Sequence, residues 1–135
     1  MSQNKFSCFP ISEGVAEGEI LISNDPINFY IVEPDSGKVI EKGHSLENMS
    51  IADKILVFPS DKGSSVVQMD GLYQMSRFNN MPKGIIVRYP STVLVSSTII
   101  MNIPMVSEVE EGFYERIKNG DNVVLDANNG TVTLK

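Results

Sequence analysis

The segment from Lys54 to Ser65 constrains this chain more than any other. Ile55, Leu56, Val57 and Phe58 form an unbroken apolar run, the pattern of a strand covered on both faces. Pro59-Ser60-Asp61 breaks the run, and Gly63 then leads into Ser64-Ser65 at the start of a helix-like stretch. That order gathers backbone N–H groups, two hydroxyls and the Lys62 ammonium around one helix start. Such a start favours a negative ligand group, because its first N–H groups lack intrahelical acceptors and the helix dipole adds to them. Capping alone accounts for the same residues, since Ser and Asp are preferred at helix starts and turns. The order Lys62-Gly63-Ser64-Ser65 is not a Walker A loop, which needs Gly-Lys-[Ser/Thr] behind a longer loop, so no nucleotide site is read here.

The 135 residues are the length of one domain, and a 41% hydrophobic content argues for a folded, globular chain. A net charge of −6, with Lys and Arg scattered, tells against a nucleic-acid partner and a polybasic membrane patch. No apolar run reaches the length of a membrane-spanning helix, and Met1 to Pro10 lacks the basic start and apolar core of a leader. The expected location is the cytoplasm. Cys8 is the single cysteine, so it forms no internal disulfide and cannot by itself hold a zinc ion or an iron–sulfur cluster. No metal site is read in this chain, and any metal chemistry must come mainly from another one.

Strand patterns mark both ends of the chain. Glu19 to Ser23 and Asn28 to Val32 read as short strands around an Asn24-Asp25-Pro26 turn, with Lys38 to Ile40 extended after a second turn. Gly84 to Arg88 and Ile103 to Val106 read as covered strands, and Val123 to Leu125 and Thr131 to Leu134 as a hairpin about Asn128-Asn129-Gly130. Val67, Gly71, Leu72, Met75 and Phe78 fall on one face of a helix from Ser65 to Phe78, although Gly71 weakens it by about 1 kcal/mol relative to Ala. Val93 to Met101 reads as a helix or, from its β-branched content, a strand; Glu110 to Lys118 reads as a short helix. The chain is thus one α/β domain, residues 1–135, with β-rich ends around a strand–loop–helix centre.

Longer patterns sharpen this reading. Gly14-Val15-Ala16-Glu17-Gly18-Glu19-Ile20-Leu21 precedes Pro26-Ile27-Asn28-Phe29 and the turn Pro34-Asp35-Ser36-Gly37. His44-Ser45-Leu46 and Ser50 to Val57 lead into Pro59-Ser60-Asp61-Lys62-Gly63-Ser64-Ser65, and Ile103-Pro104-Met105-Val106 and Gly120 to Asp126 close the chain. In order and spacing these segments resemble the small swivelling domain of the aconitase X family, whose loop reads Pro-Ser-Gly-[Arg/Lys]-Gly-Ser-Ser. Two departures from the family pattern matter. Val66-Val67-Gln68 stands where a further Gly-Ser is common, and Tyr89-Pro90-Ser91-Thr92 where an acidic residue often precedes Pro-Ile.

The resemblance implies a swivelling β/β/α fold and a hydro-lyase subunit that removes water from a phosphorylated hydroxy acid, (R)-5-phosphomevalonate. It implies a large partner subunit carrying an iron–sulfur cluster, one iron of which acts as a Lewis acid, and no cofactor in this chain. It places on Ser64 the base that takes the proton next to the substrate carboxylate. Gly63 would let backbone N–H groups approach this small anionic substrate, and Ser65 would donate a hydrogen bond to the carboxylate. Lys62 would bind an anionic group or else snorkel to solvent. Two other functions fit the same pattern: the small subunit of a hydroxyproline dehydratase, and a non-catalytic swivelling binding module.

The remaining chemistry-bearing residues have plain readings. His44 sits in a polar connection, as an ordinary surface or hydrogen-bonding histidine does. Cys8 reads as a free thiol, and a redox role would need a depressed pKa. Glu108, Glu110 and Glu111 read as a solvated helix start rather than a divalent-ion site.

Overall fold

The computed structural model describes residues 4–135, apart from the side chains of residues 65–67. The strands are β1 (Lys5–Ser7), β2 (Phe9–Ser12), β3 (Val15–Ile22), β4 (Ile55–Phe58), β5 (Gly84–Val87), β6 (Met105–Ser107), β7 (Asn122–Asp126) and β8 (Thr131–Leu134). The helices are α1 (Ser65–Arg77), α2 (Thr92–Ile100) and α3 (Glu111–Arg116). Together the strands form one sheet in the order β1-β8-β7-β3-β4-β5-β6-β2.

The eight residues of β3 join two kinds of sheet. Val15 to Glu19 pair antiparallel with β7, and Ile20 to Ile22 pair parallel with β4. From there β4, β5 and β6 continue parallel, with α1 and α2 as crossovers. Both faces of this parallel half are covered, which is why every residue of β4 and β5 is buried and their sequences do not alternate with polar residues. The side chains still alternate between two cores. Leu56, Phe58, Ile85 and Val87 face a cluster with Phe29, Leu72, Met75 and Leu94, beneath α1, α2 and the 26–51 excursion. Ile55, Val57 and Ile86 face Phe6, Phe113, Val123, Leu125 and Val132, supplied by α3 and the antiparallel half. Burying each such side chain contributes roughly 1.5–3 kcal/mol.

The α/β architecture with β-rich ends is as expected, and Val93 to Met101 resolves as a helix. Its Ser91 cap and the covered parallel sheet override the β-branched content. Several local expectations need correction. Asn28 to Val32 is not a strand: Asn28 Oδ1 accepts from Tyr30 N–H at 3.0 Å and Asn28 O from Ile31 N–H at 3.0 Å, so turn bonds take the groups a ladder would need. Ile27, Phe29 and Val32 are nevertheless buried, so the β-branched and aromatic content that reads as a strand serves the core. Lys38 to Ile40 contributes isolated bridges only. The first antiparallel partner strand begins at Val15, well before Glu19, and β1 and β2 lie in a stretch that carried no strand reading. The third helix ends at Arg116, its Ile117 cap already extended.

Gly71, which weakens α1 on propensity alone, has a packing reason. A Cβ there would overlap the Phe29 carbonyl oxygen, so only glycine lets the 28–30 turn rest on the helix. That close approach brings Asn28 and Phe29 beside the loop that follows β4.

Candidate functional site

The β4–α1 loop lies at the C-terminal edge of the parallel strands, where open α/β sheets keep their ligand sites. Its backbone is tied down on two sides. Ile27 N–H donates to Ser60 O and Lys62 N–H to Ile27 O, both at 3.0 Å, while Tyr89 N–H donates to Pro59 O at 2.9 Å. Gly63 then turns with φ +105°, in the region that favours glycine, and a Cβ there would press on the Asn28 amide at 3.1 Å. These constraints deliver the chain to Ser64, the residue before the first turn of α1, whose carbonyl accepts the Gln68 N–H at 3.0 Å.

Ser64 has cap geometry without a cap. Its φ of −75° and ψ of 159° are those of an N-cap residue, yet its side chain makes no capping hydrogen bond and the residue is exposed. No acidic residue sits in the first turn of α1 to complement the dipole. Serine capping is therefore not what occupies this hydroxyl.

The other expected site residues are placed unequally. Gly63 adjoins Ser64 and Asn28, as a loop glycine open to a ligand requires. Lys62 is neither idle nor snorkelling: its Nζ pairs with Glu41 at 2.5 Å on the surface, a contact worth at most about 1 kcal/mol and readily exchanged. The Ser65 side chain lies outside the described residues.

Sequence reasoning passed over Asp61, Gln68, Ser91 and Asn28. Asp61 Oδ2 accepts from Gln68 Nε2 at 2.9 Å and from Ser91 Oγ at 2.7 Å, so the two stretches that depart from the family pattern meet at one carboxylate. Gln68 carried a usable signal. It precedes Leu72 and Met75 at helical spacing on the apolar face, and it is 1% exposed.

Other candidates are spent on structure. His44 is buried between Pro26 O, 2.8 Å from Nε2, and Leu46 N–H, which donates to Nδ1 at 3.0 Å; the two contacts select the Nε2–H tautomer. Glu110 accepts from the Ser7 backbone and hydroxyl. Glu111 binds Arg88, whose guanidinium stacks 3.8 Å over the Tyr114 ring and whose pKa is raised by that carboxylate. A cleft of about 250 Å³ between Ser23, Pro59, Arg88 and Tyr114 opens beside the start of the loop. A larger open cleft, about 780 Å³, lies at the opposite end of the strands near Glu13, Lys83 and Asn102, away from the loop.

The described residues do not fit an iron–sulfur cluster. Cys8 is half-buried, and burial, with Asp126 adding to it, pushes its thiol up to about 11, the reverse of a ligating or redox-sensing thiolate. Among the described residues no three His, Cys, Asp or Glu side chains gather as a metal site would need. No helix among them is long and apolar enough to cross a membrane.

A parallel half-sheet that holds a loop serine at a helix start, backed by an antiparallel half that shares β3, is the architecture of a small swivelling β/β/α domain. The chain belongs to the aconitase X swivel-domain family: residues 5–134 match the family model described as Aconitase X swivel domain. It is 41% identical over 131 residues to the phosphomevalonate dehydratase small subunit of Methanosarcina mazei, covering 96% of this chain and 90% of that one. The subunit of the same name from Methanosarcina acetivorans is 42% identical over 125 residues, 92% and 86% of the two chains. The crystal structure of Thermococcus kodakaraensis aconitase X in its holo-form superposes with a TM-score of 0.89 at 36% identity, over 98% of this chain and 99% of that one.

Proposed function

We propose that this chain is the small subunit of a hydro-lyase that dehydrates (R)-5-phosphomevalonate to trans-anhydromevalonate 5-phosphate, working in the cytoplasm with a large partner subunit. Full-length similarity to archaeal subunits of that name supports the substrate and the partner. The observation that carries the chemistry is the Ser64 hydroxyl, held at a helix start without a capping bond.

Serine is a weak base, so its surroundings must favour the oxyanion. The first-turn N–H groups of α1, which by helix geometry have no intrahelical acceptor, and the dipole behind them do so, and no first-turn carboxylate opposes them. Ser64 then takes the proton next to the substrate carboxylate; the C–H electron pair becomes the double bond as the C–O bond breaks, and the departing hydroxide leaves as water once it takes up the proton that Ser64 gives back. Gly63 keeps the approach to the backbone clear, and the Ser65 hydroxyl donates to the carboxylate. Lys62 serves an anionic group of the substrate by exchanging Glu41 for it. The iron–sulfur cluster belongs to the large partner.

The test is co-expression with the large subunit and a dehydratase assay. A stable brown complex that turns over phosphomevalonate supports the reading. Turnover of hydroxyproline instead moves the substrate assignment, and a colourless chain that forms no complex points to a non-catalytic swivelling module.

A further inference from the structure

Asp61 lies inside the loop, and its carboxylate is where three segments meet. Oδ2 accepts from Gln68 Nε2 on α1 at 2.9 Å and from Ser91 Oγ before α2 at 2.7 Å, and Oδ1 accepts from Ser91 N–H at 3.3 Å. Gln68 extends the chain of bonds, its Oε1 accepting from the Phe29 N–H at 3.1 Å. Ser91 extends it the other way, its hydroxyl accepting from Leu94 N–H at 3.1 Å. Because an ionised carboxylate only accepts, Asp61 fixes the direction of every bond: the Gln68 amide must turn Nε2 to Asp61 and Oε1 to Phe29. Gln68 is buried, so a reversed or broken amide would leave polar atoms unpaired where water does not reach them.

We propose that Asp61 is a positioning residue, which locks the loop onto the starts of α1 and α2 and so sets the Ser64 hydroxyl for proton transfer. This rests on the function proposed for Ser64. The lock acts at short range. Lys62 N–H is bonded to Ile27 O, and only Gly63 stands between Lys62 and Ser64. Asp61 and the capping Ser91 also occupy the start of α2, leaving the start of α1 as the open one for an anion.

The test is a reciprocal exchange in the reconstituted two-subunit complex. In Asp61→Asn, either amide orientation sets an N–H donor against Gln68 Nε2 or Ser91 N–H. Adding Gln68→Glu restores the network with the carboxylate moved one bond along. The carboxylate at position 68 then accepts both from Phe29 N–H and from the amide introduced at position 61. Expected for D61N is a fall in kcat of about tenfold or more per folded complex, with KM changed less than about threefold. The double variant should recover to within about threefold of the unmodified complex. Exchange of the Phe29 amide with solvent, read by NMR on the small subunit, should quicken in D61N and slow again in the double variant. Unchanged kcat in D61N, or a double variant that regains Phe29 protection without regaining kcat, overturns the positioning role. If the unmodified complex does not turn over phosphomevalonate, the functional reading fails on its own, and unchanged Phe29 exchange in D61N would still refute the lock.

Discussion

Ser64 and Ser91 stand at the same place before consecutive helices, with nearly the same backbone angles, yet only Ser91 caps its helix. Ser91 accepts from Leu94 N–H at 3.1 Å and donates to Asp61 at 2.7 Å. The difference separates structural from chemical use of one residue type. Ser91→Ala should therefore cost about 1–2 kcal/mol and lower the melting temperature by roughly 3–6 °C. Ser64→Ala should leave melting within about 1 °C, because no bond that holds the fold is removed. Thermal melts of the two variants side by side check this; equal losses would mean that Ser64 is a cap after all.

Gly71 and Gly112 give opposite expectations for the same substitution. Gly71→Ala would drive a Cβ into the Phe29 carbonyl oxygen, a backbone atom that cannot swing aside. The overpacking should outweigh the helix-propensity gain of about 1 kcal/mol and leave a net loss of about 1–3 kcal/mol. Gly112→Ala on α3 meets only the Phe6 ring edge, at 3.6 Å, and should be neutral or stabilising by up to about 1 kcal/mol. Denaturant midpoints decide. A raised midpoint for Gly71→Ala would show that the 28–30 turn yields.

Cys8 should be unreactive at neutral pH. With its thiol raised to about 11 by burial, its thiolate fraction at pH 8 is about a thousandth, against about a quarter for an ordinary cysteine. Alkylation at pH 8 should be slower than in a short peptide by a factor of about 200, and its rate should climb with pH until near 11. A rate that levels off by about pH 9 would contradict the burial argument.

The β7–β8 turn carries a pKa shift of the opposite sign. Asp126 is held below its ordinary 3.8 by hydrogen bonds from the Asn129 side chain and backbone and the Asn128 backbone. Its contribution is complete above the unfolded-chain value and is lost as the pH falls through the lower folded one. The Asn128 and Asn129 amide resonances should thus shift with acid along a titration whose midpoint lies below 3.8. A midpoint at or above that value would mean the turn does not favour the carboxylate.

Much of this was legible in the sequence, for identifiable reasons. The covered strands at Ile55 to Phe58 and Gly84 to Val87, the loop to Ser64 and the Asn128-Asn129-Gly130 hairpin each carry a dense local signal. The 26–51 excursion was not legible, because the β-branched and aromatic Asn28 to Val32 segment reads like a strand while serving a core beneath a series of turns. The short N-terminal strands depend on distant partners: β1 pairs with β8 at the other end of the chain, and β2 closes the far edge against β6. At the site, the loop that ends at Ser64 carries a local signal, and it was the resemblance to the aconitase X family that singled out Ser64 within it. The meeting of Asp61, Gln68 and Ser91 was not legible, since it exists only once α1 and α2 are packed side by side, although Gln68 had a helical-spacing signal of its own.

The most direct measurement of the central claim is exchange of the substrate proton next to the carboxylate, followed in deuterated water with the reconstituted complex. Ser64→Ala should lose both that exchange and dehydration by about a hundredfold or more, while complex formation is preserved. Exchange at the unmodified rate in Ser64→Ala would place the base elsewhere and contradict the account.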